Sequence, residues 1–187
     1  MAVTARRAGS GILSDVGVVR VAAVAAVLIV ALAIQSTVLS QVTLLGVIPE
    51  LVFVVVVSLA FVDGERVGVV AGFFGGLLQD LLLFQSIVGL KAFVYVLVCY
   101  GVGSFRQYTQ GATSVWTPVL VVAVASAVAE VSYAALAIIM GQPWIGLAFT
   151  AKVAGLVVLY NTLLTPFAFP LIRKVADRFR PERVHRW

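Results

Sequence analysis

The sequence predicts an all-α integral membrane protein that folds as a compact six-helix bundle. Of its 187 residues, 62% are hydrophobic and 11% are charged, whereas about a quarter of the residues in a soluble domain are charged. Six apolar runs approach the roughly 20 residues that a helix needs to cross a bilayer. They cover residues 18–39, 49–62, 67–84, 90–103, 115–140 and 145–171.

The connections between these runs are short, which predicts one transmembrane domain over residues 1–187, with cytoplasmic tails at about 1–17 and 173–187. The polar and turn-forming residues 63–66 separate the second run from the third, and they favour a tight helical hairpin over one long helix. Arg6 and Arg7 precede the first run, as in a signal peptide. That run is long for a signal peptide and lacks a clear cleavage site, so we interpret it as a span.

The distribution of basic residues predicts the orientation. With six spans, 11 of the 13 Lys and Arg residues fall on the side of the membrane that holds both chain termini. Because short cytoplasmic loops are enriched in basic residues, both termini are predicted to be cytoplasmic. The C-terminal tail is expected to lie on the inner leaflet, where each basic group contributes about 1 kcal/mol. Its candidate lipid contacts are Arg173, Lys174, Arg178 and Arg180.

Several ionisable residues lie at bilayer depth, in the half of the bundle away from the termini. Such a residue costs at least a few kcal/mol unless it faces protein or water and finds a partner. A shared polar interior that opens towards the outer face would accommodate all of them, and it would make them candidates for binding a partner. The candidates are Glu50, with Pro49 before it, Asp80, Lys91, Glu130 and Lys152.

Two interpretations stay open for these charges. Lys91 and Lys152 either extend to the outer interface or pair with the carboxylates nearby. Glu130 is either protonated, because burial disfavours the charged form of a carboxyl group, or it forms a salt bridge to one of the two lysines.

The third run contains a glycine pattern, GVVAGFFGGLLQD, at residues 68–80. At 100° per residue the glycines share one face of a helix, and glycines at this spacing allow another helix to approach closely. Asp80 lies at the rim of that face, so we expect it to point to protein rather than lipid. It either belongs to a partner-binding surface or accepts hydrogen bonds from a neighbouring helix and stabilises the bundle. The predicted helix-packing residues are Gly68, Gly72, Gly75 and Gly76.

Residues 48–106 resemble the MreD family of rod shape-determining membrane proteins. Residues 49–51 match the family's Pro-Asp-Leu start of a span, with Glu in place of Asp. Residues 68–80 match its Gly-x-x-x-Gly-Phe-x-x-Gly-Leu-Leu-x-Asp pattern, and residues 89–90 match the Gly-Leu that follows. Lys91 departs from the small polar residue or His that is usual next.

The resemblance implies a non-catalytic scaffold of the cell-wall elongation machinery, located in the bacterial cytoplasmic membrane. It implies association with MreC, with RodA and a class B penicillin-binding transpeptidase, and indirectly with MreB filaments. It also implies a fold similar to the S components of energy-coupling-factor transporters, which are six-helix proteins with a pocket open to the outside.

The alternative function is a substrate-binding S component of such an uptake transporter. In that case Asp80, Glu130, Lys91 and Lys152 would bind a polar ligand. An enzyme is not expected, because the sequence lacks a paired His and carboxylate motif, a phosphate-binding glycine loop and a serine with a nearby base. We therefore expect no cofactor, no metal and no nucleic-acid partner.

Overall fold

The computed structural model describes residues 9–41, 46–82, 87–109, 116–141 and 147–178, and these residues form six α-helices. The prediction of six helices is confirmed. A single 3-10 turn, Leu39–Gln41, follows the first of them. The helices are α1 (Gly9–Thr37), α2 (Leu51–Asp63), α3 (Glu65–Leu82), α4 (Leu90–Thr109), α5 (Trp116–Ile139) and α6 (Leu147–Arg178).

Helix α2 lies at the centre of the bundle and contacts the other five helices. Its residues from Val52 to Ala60 are all buried. A helix that is covered on every side has no polar face, which explains why this part of the sequence is apolar without periodicity. At 13 residues and 1.5 Å per residue, α2 is about 20 Å long, so it is shorter than the bilayer core.

The glycines of α3 lie at two separate helix contacts. Gly68 and Gly75 face α2, where a Cβ atom on Gly68 would lie 2.4 Å from a side-chain atom. Gly72 and Gly76 face α4, where a Cβ atom on Gly76 would lie 2.5 Å from the Cα atom of Ala92. The single glycine face predicted from the helical wheel is therefore divided between two neighbours, and both of them belong to this chain.

Three stretches are long and apolar enough to cross a membrane. They are Gly17–Gln41, which includes most of α1 and the 3-10 turn after it, Trp116–Ile139, which is α5, and Thr150–Arg178 in α6. Helices α3 and α4, with 18 and 20 residues, are about 27 and 30 Å long. Large apolar side chains such as Val21, Leu120 and Phe167 are exposed on the outside of the bundle. This apolar exterior is compatible with lipid, and the protein is a membrane protein.

The first and last helices extend beyond the predicted apolar runs. Helix α1 begins at Gly9 rather than near residue 18, and α6 continues through Pro166 and Pro170 to Arg178. The predicted runs begin and end where the hydropathy falls, but the backbone hydrogen bonds of a helix do not require apolar side chains. Prolines are tolerated in membrane helices because neighbouring groups satisfy the freed backbone atoms.

The first part of the predicted basic tail, residues 173–178, is helical. Arg173, Lys174 and Arg178 lie exposed on the last turns of α6. The Nε atom of Arg173 is 3.8 Å from Oδ2 of Asp177, one turn further along. Arg180 lies outside the described residues.

The end of the bundle that holds the start of α1 and the end of α6 carries its own ion pair. Nη2 of Arg20 in α1 lies 3.0 Å from Oδ1 of Asp63 at the end of α2. A small cleft beside this pair is also lined by Ala176 of α6. The predicted polar residues Glu50 and Lys91 lie at the other end of the bundle, since they stand at the starts of α2 and α4.

Candidate functional site

A cavity of about 450 Å³ opens at the end of the bundle opposite the start of α1 and the end of α6. This volume lies in the range of small-molecule sites. Its wall is largely apolar, with Leu32 of α1, Leu82 of α3 and Val157 of α6 among the lining side chains. The larger polar side chains that line it come from all six helices or their immediate starts, and they are Gln35, Glu50, Gln79, Lys91, Glu130, Tyr133 and Lys152.

An ion pair between Lys91 and Glu50 is the centre of the polar network. Nζ of Lys91 donates a hydrogen bond to Oε1 of Glu50, and it lies 3.2 Å from Oε1 of Gln79. The hydroxyl of Tyr95 lies 2.8 Å from the same Gln79 oxygen and 3.1 Å from Oε2 of Glu50. A buried ion pair is tolerated only when additional hydrogen bonds satisfy its remaining atoms, and Gln79 and Tyr95 supply them here.

Side chains from two other helices cap the N-terminus of α2. Oε1 of Gln35 in α1 accepts a hydrogen bond from the backbone N–H of Val52 at 2.9 Å. Oδ1 of Asn161 in α6 accepts from the N–H of Glu50 at 3.2 Å, while its Nδ2 donates to Oγ of Ser126 in α5 at 3.0 Å. The first N–H groups of a helix have no partner within it, so these amides replace the missing acceptors and connect α1, α5 and α6 to α2.

Asp80 caps the N-terminus of α4. Its Oδ2 atom accepts hydrogen bonds from the backbone N–H groups of Gly89, Lys91 and Ala92, at 2.9, 3.1 and 3.3 Å. A carboxylate at this position also interacts favourably with the helix dipole. Asp80 is buried and does not line the cavity. Its contacts agree with the second interpretation given above, that of a residue which stabilises the bundle.

Glu130 and Lys152 line the cavity without a direct polar partner. Among the residues that the structure describes, neither forms a hydrogen bond or an ion pair. Glu130 lies within electrostatic reach of Glu50 and Lys91, but Lys91 is paired with Glu50 and lies 5.9 Å from the ring centroid of Tyr133. Lys152 is exposed at the mouth of the cavity. The structure therefore brings Glu50, Lys91 and Glu130 together and leaves Lys152 at the edge.

Comparison with known families decides what kind of protein carries this site. The sequence model of the family described as rod shape-determining protein MreD matches residues 18–175. The chain belongs to the MreD family. No curated protein and no solved structure matches it, so the likeness to S components stays a prediction.

The MreD match includes parts of all six helices and every side chain that lines the cavity. MreD proteins determine cell shape as structural membrane proteins and are not known as enzymes. The suspected family is thus confirmed, and it indicates a structural role in determining cell shape.

Sequence reasoning missed the uncharged half of the polar network in this MreD protein. Gln35 and Asn161 interrupt apolar runs, and Tyr95 lies within another. The cost of a polar group at bilayer depth applies to amides as well as to charges, so a search that included Gln and Asn would have found the first two. Nothing in the spacing indicates that Tyr95 faces Gln79.

Proposed function

We propose that this protein is a non-catalytic scaffold of the bacterial cell-wall elongation machinery and that it binds MreC in the cytoplasmic membrane. Membership of the MreD family is the observation that carries the proposal. Through MreC, the scaffold would associate with RodA and a class B penicillin-binding transpeptidase, and indirectly with MreB.

A rigid bundle suits this role because a scaffold must present a fixed surface. The buried network connects α2 to α1, α4, α5 and α6 through side-chain hydrogen bonds or an ion pair, and the glycines bring α3 close to α2 and α4. Since these glycines already contact helices of the same chain, the partner would bind to the outward-facing side chains instead.

We further propose that all six helices cross the membrane with both termini in the cytoplasm. Arg20, Arg66 and Arg106 stand at the same end of the bundle as Arg173, Lys174 and Arg178 in the last turns of α6. At the cavity end, Lys91 is neutralised by Glu50. Basic residues are enriched in short cytoplasmic segments, so the cavity would open outwards.

Copurification tests the scaffold proposal. The tagged full-length chain is co-expressed with MreC of the same organism and, separately, with the coupling module of an energy-coupling-factor transporter. Stoichiometric recovery of MreC in detergent is the expected result. Recovery of the transporter module without MreC would contradict the proposal and favour the S-component interpretation.

Site-specific photo-crosslinking then maps the contact surface on the intact complex. A photoreactive residue is placed in turn at exposed positions on five helices, and the crosslinked MreC is quantified. Crosslinks confined to one side of the bundle are expected for a defined interface, whereas equal labelling at every position would indicate non-specific association. The positions are Val21, Phe73, Leu97, Leu120 and Phe167.

A further inference from the structure

An apolar groove of about 440 Å³ lies between α1 and α6, and α2 forms its floor. Its walls are open to the outside of the bundle, where Val30 and Phe167 are exposed, and its floor is closed by side chains such as Ala31 and Val55, which are buried. Every side chain that lines it is apolar. The groove therefore admits an apolar occupant from the surrounding lipid.

The groove leads into the small cleft beside the ion pair of Arg20 and Asp63. Both spaces are lined by the same three side chains, Val27, Ile172 and Val175. Their floor is also continuous, because α2 lines both with one row of residues, spaced four apart, that ends at Asp63. The seam between α1 and α6 therefore changes from apolar to charged towards the start of α1 and the end of α6.

The lining of the groove stops short of the cavity end of the bundle. On α6 its last residue in that direction is Leu164. The preceding turn holds Asn161, whose Oδ1 accepts from the N–H of Glu50, and Tyr160, which belongs to one buried cluster with Val47. Both side chains are buried. The groove is therefore open at the charged end of the seam and closed at the other.

The length of the groove matches one leaflet of a membrane. Between Leu164 and Val175 it extends over about 17 Å of α6, at 1.5 Å per residue. Half of a bilayer core is about 15 Å thick. The acyl chain of a phospholipid ends within one leaflet and fits this length, whereas a partner's helix that crosses both leaflets would have to continue past the buried turn at Asn161.

Basic side chains follow the groove on both of its walls. On α6, Lys174 lies two turns after Phe167, and Arg178 lies two turns after Leu171, so they continue the row that lines the groove. Both are exposed, and neither forms an ion pair within the described residues. On α1, Arg20 keeps 27% of its side chain exposed although it forms an ion pair. This end of the groove therefore carries an excess of positive charge.

We propose that the groove binds one anionic phospholipid, of the phosphatidylglycerol class. One acyl chain occupies the groove, and the phosphate lies over the cleft, where it accepts hydrogen bonds from Lys174, Arg178 and the exposed part of Arg20. Ethanolamine and choline headgroups carry a positive charge of their own, which these side chains repel. A general attraction of the basic tail to the membrane surface would have no such groove and no fixed stoichiometry. The site goes beyond the scaffold function and does not depend on it.

Native mass spectrometry of the full chain tests the headgroup. The protein is reconstituted in bilayers that contain equal amounts of phosphatidylglycerol, phosphatidylethanolamine and phosphatidylcholine, extracted in mild detergent, and its retained lipids are identified and counted. We expect one retained phosphatidylglycerol molecule per chain. Lys174→Gln and Arg178→Gln should each weaken its retention by about fivefold, the effect of one basic group near an anionic surface.

Arg173→Gln is the matched control for the charge. It removes one positive charge from the same turns of α6, but Arg173 lies on the side of the helix away from Leu171 and pairs with Asp177. Retention of phosphatidylglycerol should therefore stay as in the wild type. Arg20 is not substituted, because Asp63 is buried beside it.

Two neighbouring residues of α1 test the groove. Val30 and Ile29 are both exposed, but only Val30 lines the groove. Val30→Trp should fill the groove and remove the retained lipid, while Ile29→Trp should retain it as the wild type does. Because both positions face outwards, neither variant disturbs the core, and an unchanged melting temperature in lipid-free detergent checks this.

Four results would overturn the proposal. Equal retention of the three lipids would mean that only non-specific boundary lipid binds. Equal weakening by Arg173→Gln and Arg178→Gln would assign the selectivity to the overall charge of this end of the bundle. Unchanged retention in Val30→Trp would place the lipid outside the groove, and loss of MreC from that variant with lipid retention intact would assign the groove to a partner's helix. Failure of the wild type to bind MreC, with lipid selectivity intact, would contradict only the scaffold function.

Discussion

At the scale of single residues, the buried ion pair decides how the polar end of the bundle is stabilised. Lys91 and Glu50 lose most of their water, and their attraction compensates for this loss only because Gln79 and Tyr95 complete the hydrogen bonds. Removal of one partner is therefore more costly than removal of both.

Lys91→Met should lower the free energy of unfolding by about 3 kcal/mol, because it leaves the Glu50 carboxylate buried and unpaired. The double variant Glu50→Gln with Lys91→Met should recover part of this loss. Thermal unfolding in lipid-free detergent measures both. Lys152→Met is the control, since Lys152 is exposed and has no ion pair among the described residues. Equal destabilisation by Lys91→Met and Lys152→Met would show that the pair contributes nothing specific.

Asp80 offers a local test of helix capping. Asp80→Ala should destabilise the protein by about 1–2 kcal/mol, as expected for the loss of an N-terminal cap. Asp80→Asn should cost less because its amide oxygen still accepts. In the wild type, the N–H groups of Gly89, Lys91 and Ala92 donate hydrogen bonds to Asp80. In Asp80→Ala, hydrogen exchange should become faster at these three groups and not at the last turns of α4. Unchanged exchange at these three amides would rule out the capping role.

At the scale of helices, the glycine pattern of α3 shows what a helical wheel leaves undetermined. The wheel placed the four glycines on one side of α3, and the structure has them on that side. The wheel could not show that two helices, α2 and α4, contact this side of α3, because those contacts depend on how the helices pack. Gly103 of α4 was not predicted, although a Cβ atom there would lie 2.4 Å from the Cα atom of Glu65.

Gly76→Ala should separate α3 from α4, because the new Cβ atom would lie 2.5 Å from the Cα atom of Ala92 and backbone has little freedom to move. We expect a loss of about 1–3 kcal/mol, typical of overpacking. Gly101→Ala on α4 meets no atom within 4 Å, and it should be neutral or stabilising by up to about 1 kcal/mol, because alanine is the better helix former. Melting temperatures of the two variants, compared in one detergent, test the difference. Similar values would mean that the close approach at Gly76 can relax.

At the scale of the whole molecule, hydropathy predicted six helices, and the cost of charges in lipid indicated which end is polar. Hydropathy and the cost of charges in lipid are properties of many residues together, and neither depends on how particular side chains pack. The partners of Glu50 and the amide caps of Asn161 and Gln35 could not be predicted. They arise where residues distant in sequence meet, as in the contact between Asn161 and Glu50.

The orientation of the molecule is tested by cysteine labelling of the full chain. Cys99 is the only cysteine and is buried, so Cys99→Ala provides a background without a reactive thiol. In that background Lys152→Cys, at the cavity mouth, should react with a membrane-impermeant maleimide in intact spheroplasts. Arg178→Cys should react only after permeabilisation, because basic segments stay in the cytoplasm. The reverse pattern would turn the cavity towards the cytoplasm, and labelling of both positions from outside would contradict a helix α6 that spans the membrane.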